Sequence, residues 1–437
     1  MKRVTMFVWN HFTNDARVMR ESMTLSENGY DLNLIAIEDK RDTQASKLQK
    51  INDHFRVYRV RMYPRFLELY QSNKAAFIIG LAGMTMVIVP ALFFKSWLIL
   101  STYFLVLAAG ILSLKNSRIR QNLIKLVRSC RMVYRGYRQN ADIYHSHDLN
   151  TLTQGVICSK LRLKPKKLIY DSHEVQTDRT GYNKRFVRWW ERSLLKFVDV
   201  TIVENETRAA HHENLYGYYP KTLYNYSVFY DVDKRATLEL KKTLGVAEDE
   251  KLLLYQGGLQ AGRGLENLIK MMHLVDEGTL VFIGDGRLKQ ILMRQVIEEN
   301  LSDKVKFFPK VHMDILPSYT KEAYIGFQVL QNTSYNHYSA ASNKLFEYIM
   351  AHIPIVSCDF PEIKNIVERE KVGISLDASN IEQLAKVVNM LVKDEALRNR
   401  YSENCRSAKM NYNWDNEQQK LLEIYNNLDV LISKEGH

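Results

Sequence analysis

The stretch KLLLYQGGLQAGRGLE, residues 251–266, decides how this chain is read. Leu252 to Tyr255 form an apolar run of strand length. Gly257 and Gly258 end it, and Gly264 follows Arg263 just before a new helical pattern. Glycine lets the backbone turn tightly and approach a ligand closely, and a helix start presents free N–H groups. Strand, glycine turn and helix in this order make up one unit of a parallel α/β sheet, with an anion cradle at its end. The spacing is neither GxGxxG nor a Walker loop, so taken alone it is an ordinary glycine-rich turn. FIGDGRL (282–288) repeats the arrangement at the next strand end.

Working outward, the same alternation runs through most of the 437 residues. Strand patterns stand at 3–9, 31–37, 55–62, 141–147, 166–172 and 199–204, then at 251–257, 279–285, 304–310, 325–330 and 354–359. Helical periodicity fills the gaps, for example at 287–301 and 380–393. Near-continuous apolar strands between helices predict parallel sheets covered on both faces. Two such series joined near 228–250 predict an α/β chain of two Rossmann-like domains facing one cleft. Ligands of such sheets bind beyond the carboxyl ends of the strands. That directs attention to His145, His147 and Asp148, to Asp171, His173 and Glu174, and to the glycine turns.

Composition narrows the function. Hydrophobic residues are 46 % and charged residues 25 %, as in a folded globular chain. Four scattered cysteines with no CxxC pair exclude a zinc ribbon or a disulfide scaffold and suit a reducing compartment. The first residues, MKRVTMFVWNHF, lack the apolar core of a signal peptide and read as a strand entry. The net charge is +12, but Lys115, Arg118, Arg120, Lys125, Arg128, Arg131, Arg135 and Arg138 supply +8 of it with no acid among them. A dispersed nucleic-acid footprint is therefore not predicted.

That basic segment follows two uncharged runs, 75–94 and 97–114, of 20 and 18 residues. Each is long enough to cross a hydrocarbon core of roughly 30 Å. Lys74 and the basic segment flank them, and Lys95 sits in the turn, so the flanks are expected on the cytoplasmic side of a cell membrane. The segment 115–140 reads as an amphipathic helix with Ile119, Leu123, Leu126, Cys130, Val133 and Tyr137 on its apolar stripe. Such a helix suits an anionic membrane surface. A re-entrant hairpin, or a pair of core helices with a solvated basic helix, are the alternatives.

SNKLFEYIMAHIPIV (342–356) adds the third phosphate-type element. Asn343 capping a helix would leave first-turn N–H groups for a phosphate, with the Lys344 charge beside them. Glu347, one turn on, offers two acceptor oxygens suited to the paired hydroxyls of a ribose. A glutamate that merely complements the helix dipole is the simpler reading. With two glycine turns in the same half, a nucleoside diphosphate is the predicted ligand.

These motifs, taken in order, resemble the GT-B glycosyltransferases, most closely retaining glycosyltransferase family 4 (glycosyl transferases group 1). YQGGLQAGRGLE, FIGDG, SNKLFEYIMAHIPIV and NYNWDNEQQKLLEIY match the donor half, and TNDARVMRESMTLSENGYDLNLIAI, ADIYHSHDLNTL and LIYDSHE match the acceptor half. The resemblance implies an acceptor domain over 1–228 with the insert 75–140, a donor domain over 229–412, and a helix 413–437 crossing back. It implies that Gly257, Gly258, Arg263, Gly284, Asn343, Lys344, Leu345 and Glu347 bind a nucleotide-diphosphate sugar, a UDP-sugar above others. His147, Arg263 and Lys344 would carry catalysis, and Asn14, Asp15, Arg17, His145, Asp148, His173 and Glu174 would line the acceptor site. It implies transfer with retention, without metal or other cofactor, to a lipid-linked glycan acceptor at the membrane in cell-envelope polysaccharide or glycolipid synthesis.

Two positions depart from the family pattern. Ser339 stands where a first glutamate usually precedes the ribose glutamate by eight, and Gly258 stands where a basic residue is common. A nucleotide-sugar epimerase of the same architecture and a non-catalytic membrane-anchored subunit are the competing readings. Retained His147, Arg263, Lys344 and Glu347 weigh against the latter, and the hairpin weighs against the former. Asp231–Val232–Asp233 copies a metal-binding DxD but falls in the predicted connection. DSHE (171–174) reads as a polar strand end rather than a metal site, and His211–His212 as a solvent-facing pair.

Overall fold

A computed structural model describes every residue except 14, 40–46, 94–96, 180, 182 and 436–437. The chain forms two compact units, one of Met1–Asp171 with Ser193–Val200, the other of Ser172–Arg192 with Thr201–His437. The strands in chain order are β1 (Lys2–Phe7), β2 (Tyr30–Ile37), β3 (Leu48–Asn52), β4 (Phe55–Val60), β5 (Ile143–His147), β6 (Lys167–Ser172), β7 (Val200–Val203) and β8 (Lys221–Thr222). They form one sheet in the order β3-β4-β2-β1-β5-β6-β7-β8, in which β3 runs antiparallel to β4 while β4-β2-β1-β5-β6 and β7-β8 pair in parallel. The second sheet holds β9 (Leu252–Gln256), β10 (Thr279–Ile283), β11 (Val305–Phe308), β12 (Ile325–Gln328), β13 (Ile355–Cys358) and β14 (Gly373–Leu376). Its order is β11-β10-β9-β12-β13-β14 and its strands pair in parallel. The α/β fold with two parallel-sheet units is as the sequence predicts.

The order of strands fixes where ligands can bind. In the second sheet the chain runs outward from β9 to β11 on one side and from β12 to β14 on the other. In the first, β2 and β4 lie on one side of β1 while β5 and β6 lie on the other. Helices leave opposite faces at these reversals, which opens a crevice at the carboxyl ends of β9 and of β1 and β5. Gly257 follows β9, and His147 closes β5. The strands are held by apolar burial: Leu252, Leu253 and Leu254 are each at most 1 % exposed. Burying one such side chain contributes roughly 1.5–3 kcal/mol.

The insert departs from expectation in two ways. The apolar runs form the helices Lys74–Phe93 and Trp97–Lys115. Among the described residues, however, no helix is long and apolar enough to cross a membrane. The turn with Lys95 lies outside the described residues. Thr85 Oγ1 and Tyr103 OH share a hydrogen bond of 2.8 Å, a polar contact joining the two helices. The basic helix Ser117–Gln139 turns a different face inward than its pattern predicts. Met132 and Gly136 are the buried positions, and a Cβ on Gly136 would collide with the Phe7 ring. Ile119, Leu126, Cys130 and Tyr137 of the predicted apolar stripe are exposed instead. Only a glycine-sized gap fits against Phe7, so close packing selects the Gly136 face over the more hydrophobic one.

The cations of this helix divide likewise. Arg128 lies over the Trp9 ring at 5.0 Å, Arg135 over Tyr58 at 4.0 Å, and Arg131 donates to the carbonyls of Arg61 and Tyr63. Lys115, Arg118, Lys125 and Arg138 are exposed.

Candidate active site

In the first unit, β5 and β6 pair in register with His147 opposite Asp171. His145 and His147, two apart on a strand, point to one face, and their rings stack at 4.3 Å. The helix Ala16–Glu27 brings Arg17 to the same place. Its guanidinium grips Asp171 with both prongs, Nε to Oδ2 at 3.1 Å and Nη2 to Oδ1 at 2.9 Å. It also pairs with Glu21 one turn along at 3.0 Å. His147 Nδ1 stands 3.6 Å from Asp171 Oδ2. All five side chains are at most 5 % exposed. Glu21 is a member that the sequence reading omits.

Glu21, His145, His147 and Asp171 each bring a ligand-type atom within 4.8 Å of the others. This resembles a metal centre by residue type. The Arg17 guanidinium already lies on both carboxylates, so a metal ion would compete with it for the same oxygens. The geometry fits a buried ion-pair network that holds the strand end carrying His147. Asp148 follows with φ +63° and ψ 161°, a region that side chains rarely adopt, and its N–H donates to the Asp171 carbonyl at 2.8 Å. Strain of about 1–3 kcal/mol stored at one residue is characteristic of a functional strand end. Asp15 caps the helix Ala16–Glu27 by accepting from the Val18 N–H, and also accepts from Asn10. Asn14 lies outside the described residues.

In the second unit the two glycine turns lie backbone against backbone. A Cβ on Gly284 would collide with the Gly257 carbonyl, and one on Gly286 with the backbone of Leu259. Gly257 has φ +120°, and its N–H donates to the Ile283 carbonyl at 2.9 Å. Lys344 reaches this turn: a Cβ on Gly257 would meet its Cε at 3.0 Å and its Nζ at 3.6 Å. Lys344 is buried. Burial first, and the charge of Arg263 second, push its ammonium down to about 7, against the pull of Glu347. Nζ also lies 5.4 Å from the centre of the Tyr255 ring, and the Tyr255 hydroxyl donates to the Gly258 carbonyl.

Glu347 is oriented from beneath. Gln256, the last residue of β9, donates from Nε2 to Glu347 Oε2 at 2.5 Å and accepts from Thr320 at its own Oε1. The helix Asn343–Met350 corrects one detail: its N-cap is Ser342, with no side-chain cap hydrogen bond. Asn343 already belongs to the helix and its Oδ1 accepts from Asn225 instead. The Leu345 side chain is in the core, which leaves only its backbone near the helix start.

His337 also joins this group. A Cβ on Gly262 would stand 2.6 Å from its ring, and its Nδ1 faces the Gln331 carbonyl at 3.2 Å and Thr333 Oγ1 at 3.0 Å. Burial holds His337 below the usual imidazole range; the Gln331 carbonyl opposes this, while Arg263 and Lys344 add to it. No local pattern in the sequence marks His337, since its place beside Gly262 joins residues 75 apart.

His173 and Glu174 belong to this unit: the His173 carbonyl accepts from Arg208, and Glu174 pairs with Arg179 at 3.2 Å. Ser339 is buried and takes part in the same frame, its carbonyl accepting from Asn205 and its hydroxyl from Arg208. His212 is buried, not solvent-facing, with Nδ1 at the Tyr218 carbonyl, and burial pushes it down to about 4. His211 stacks on Tyr335 at 4.1 Å. Asp231 and Asp233 pair with Lys234 and Arg406.

Replacing Glu347 with alanine is expected to raise the donor KM by about ten- to a hundredfold, the worth of about 1.5–3 kcal/mol in charged hydrogen bonds. Gln256→Leu should produce a smaller rise in the same constant, because it removes orientation and not the acceptor. Steady-state kinetics with both variants checks this, and an unchanged KM for Glu347→Ala would leave that residue serving the helix dipole alone.

Residues 237–408 match the family model described as glycosyl transferases group 1. An uncharacterized glycosyltransferase of Methanocaldococcus jannaschii is 25 % identical over 192 residues, 43 % of this chain and 48 % of that protein. A D-inositol 3-phosphate glycosyltransferase of Xylanimonas cellulosilytica is 23 % identical over 198 residues, 44 % and 46 % of the two chains. The match thus spans about half the length of these relatives. Among solved structures, HepE of Anabaena in complex with UDP is similar with a TM-score of 0.68 and 14 % identity, covering 98 % of this chain and all of that one. That likeness concerns the fold. The glycine turns, Lys344 and Glu347 all fall inside the matched residues, so residues 237–408 are similar to the glycosyl transferases group 1 family, within an α/β architecture of the GT-B kind.

Proposed function

We propose that this chain is a glycosyltransferase that moves a sugar, with retention and without a metal, from a nucleotide-diphosphate sugar to a lipid-linked or membrane-proximal glycan acceptor. UDP-sugars are the favoured donors, and synthesis of a cell-envelope polysaccharide or glycolipid is the favoured setting. One observation carries the reading: a buried lysine lies against paired glycine turns while a glutamate, held by Gln256, stands one helical turn away. A diphosphate suits the first and a ribose the second. When the sugar leaves the diphosphate, Lys344 and Arg263 stabilise the growing negative charge, and the oxygen released can take the acceptor's proton. UDP in the HepE complex supports the choice of base. His147, closing β5, is assigned to the sugar and acceptor side of the reaction.

The membrane part rests on exposed apolar surface. Ile79, Met86, Trp97 and Leu105 are each more than 70 % exposed on the two insert helices. An apolar face of this kind beside exposed Lys115, Arg118 and Lys125 suits an anionic bilayer. Four of the eight cations are directed into the fold or only half exposed, so the electrostatic share is smaller than the sequence suggests.

The test incubates the full-length protein with labelled UDP-sugars and membranes bearing lipid-linked acceptors. Lipid-extractable label is expected, and its absence with every donor would refute the reading. Binding to anionic vesicles should weaken as salt is raised but persist, since screening removes the charge contribution and leaves the apolar one. Complete release at high salt would show that the insert helices stay out of the bilayer.

A further inference from the structure

The helix Lys184–Leu195 carries a second surface that the proposed function does not use. Its inward side is built on Val187 and Glu191, both 3 % exposed, and Glu191 accepts from the Tyr216 hydroxyl at 2.7 Å. Glu191 is the helix's one acid, so the outer surface contains only aromatic and cationic groups. Phe186, Trp189 and Trp190 stand at i, i+3 and i+4 on one side and are 52 %, 64 % and 38 % exposed. Their rings cluster, Phe186 against Trp190 at 5.4 Å and against Trp189 at 5.9 Å. Arg185, Arg188 and Arg192, at i, i+3 and i+7, are exposed alongside. Arg188 and Arg192 each give one N–H to the Leu215 carbonyl, which fixes the row while leaving other donors of each guanidinium outward.

Three aromatics in water are costly for a stable globular surface. Indole rings favour the boundary between lipid tails and headgroups, and guanidinium groups pair with phosphate there. The helix itself carries no outward carboxylate to repel an anionic headgroup, and Asp178, beside its first turn, is paired with Lys184 at 2.9 Å. We infer that this helix is an interfacial anchor that lies on anionic phospholipid, a second membrane contact independent of the insert helices. The inference deepens the membrane-proximal reading above and rests on it for its biological sense, not for its physics.

Co-sedimentation of the full-length protein with phosphatidylcholine vesicles, with and without phosphatidylglycerol, tests it in the absence of nucleotide. Trp189→Ala/Trp190→Ala should lower binding to both vesicle types. Arg185→Gln/Arg188→Gln/Arg192→Gln should lower only the binding to anionic vesicles, by about fivefold per charge removed. Lys115→Gln/Arg118→Gln/Lys125→Gln on the basic helix provides the reference loss from the other contact. The inference is overturned if both variants of the aromatic helix bind vesicles like wild type. It is equally overturned if they instead change the protein's oligomeric state in light scattering, which would make this a protein interface. UDP affinity measured on the same samples keeps the two readings apart. Wild type that binds vesicles through this helix but not UDP defeats the donor reading alone. Circular dichroism confirms folding, and the arginine variant retains the test should the tryptophan variant misfold.

Discussion

Lys344→Gln is expected to lower kcat by about a hundred- to a thousandfold, the loss typical of removing one preorganised donor from a developing anion. The side chain is buried against the Gly257 turn with Arg263 nearby, so water cannot substitute for it. The same environment gives wild type a pH signature. Without ligand, the Lys344 ammonium titrates at about 7 because burial and Arg263 disfavour its charge. An anionic diphosphate restores the favourable field and raises that value. Affinity for UDP should therefore be greatest below pH 7 and fall as pH rises above it, by up to tenfold per unit while free protein is deprotonated and bound protein is not. Lys344→Gln should flatten this dependence.

Stability without ligand runs the other way. The folded-state value lies below the ordinary 10.5, so the unfolded chain holds a proton that the folded chain has lost between about 7 and 10.5. The Lys344 contribution to stability thus improves as pH rises through that window. Lys344→Met should raise Tm most near pH 7 and less as pH 10 is approached. A pH-independent UDP affinity in wild type would show that Lys344 does not face the diphosphate.

The second large effect belongs to the first unit. Arg17→Leu should cost about 3–5 kcal/mol, because it leaves Asp171 and Glu21 buried without the guanidinium they share. Arg17→Lys should recover only part, since an ammonium cannot fork across both Asp171 oxygens. With two units, unfolding need not be two-state, so the first transition in urea is the quantity to compare. Transfer should fall along with stability in the surviving protein, because Asp171 fixes the strand end that carries His147. UDP affinity, set in the other unit, should change far less. A loss below about 1 kcal/mol would show that the network is hydrated rather than buried.

What the sequence revealed follows the range of the interactions. The glycine turns, the buried strands and the Lys344–Glu347 spacing are local patterns, and they appear where they were predicted. The strands β3, β8 and β14 lie outside the predicted set, since LQKIN, KT and GISL are short and carry little or no apolar alternation. The Arg17–Asp171 pair joins residues 154 apart, and Gln256–Glu347 joins residues 91 apart. Neither leaves a mark in any window of sequence. The inward face of the basic helix is not legible, because hydrophobicity ranks Ile119 and Leu126 above Gly136, whereas contact with Phe7 depends on shape. The aromatic and cationic spacing in KRFVRWWERSLL was legible, but only the burial of Glu191 shows that the outer surface is free of acids.

Calorimetric titration of UDP into the full-length protein at pH 8, with a chelator present and in two buffers of different ionisation enthalpy, tests the donor site most directly. The account predicts saturable binding without metal, uptake of a substantial fraction of one proton in wild type, and much weaker binding with no such uptake in Lys344→Gln. Glu347→Ala should bind weakly yet still take up the proton, because it loses the ribose contact and not the phosphate one. Failure of UDP and every other nucleoside diphosphate to bind, or equal binding by wild type and Lys344→Gln, would contradict it.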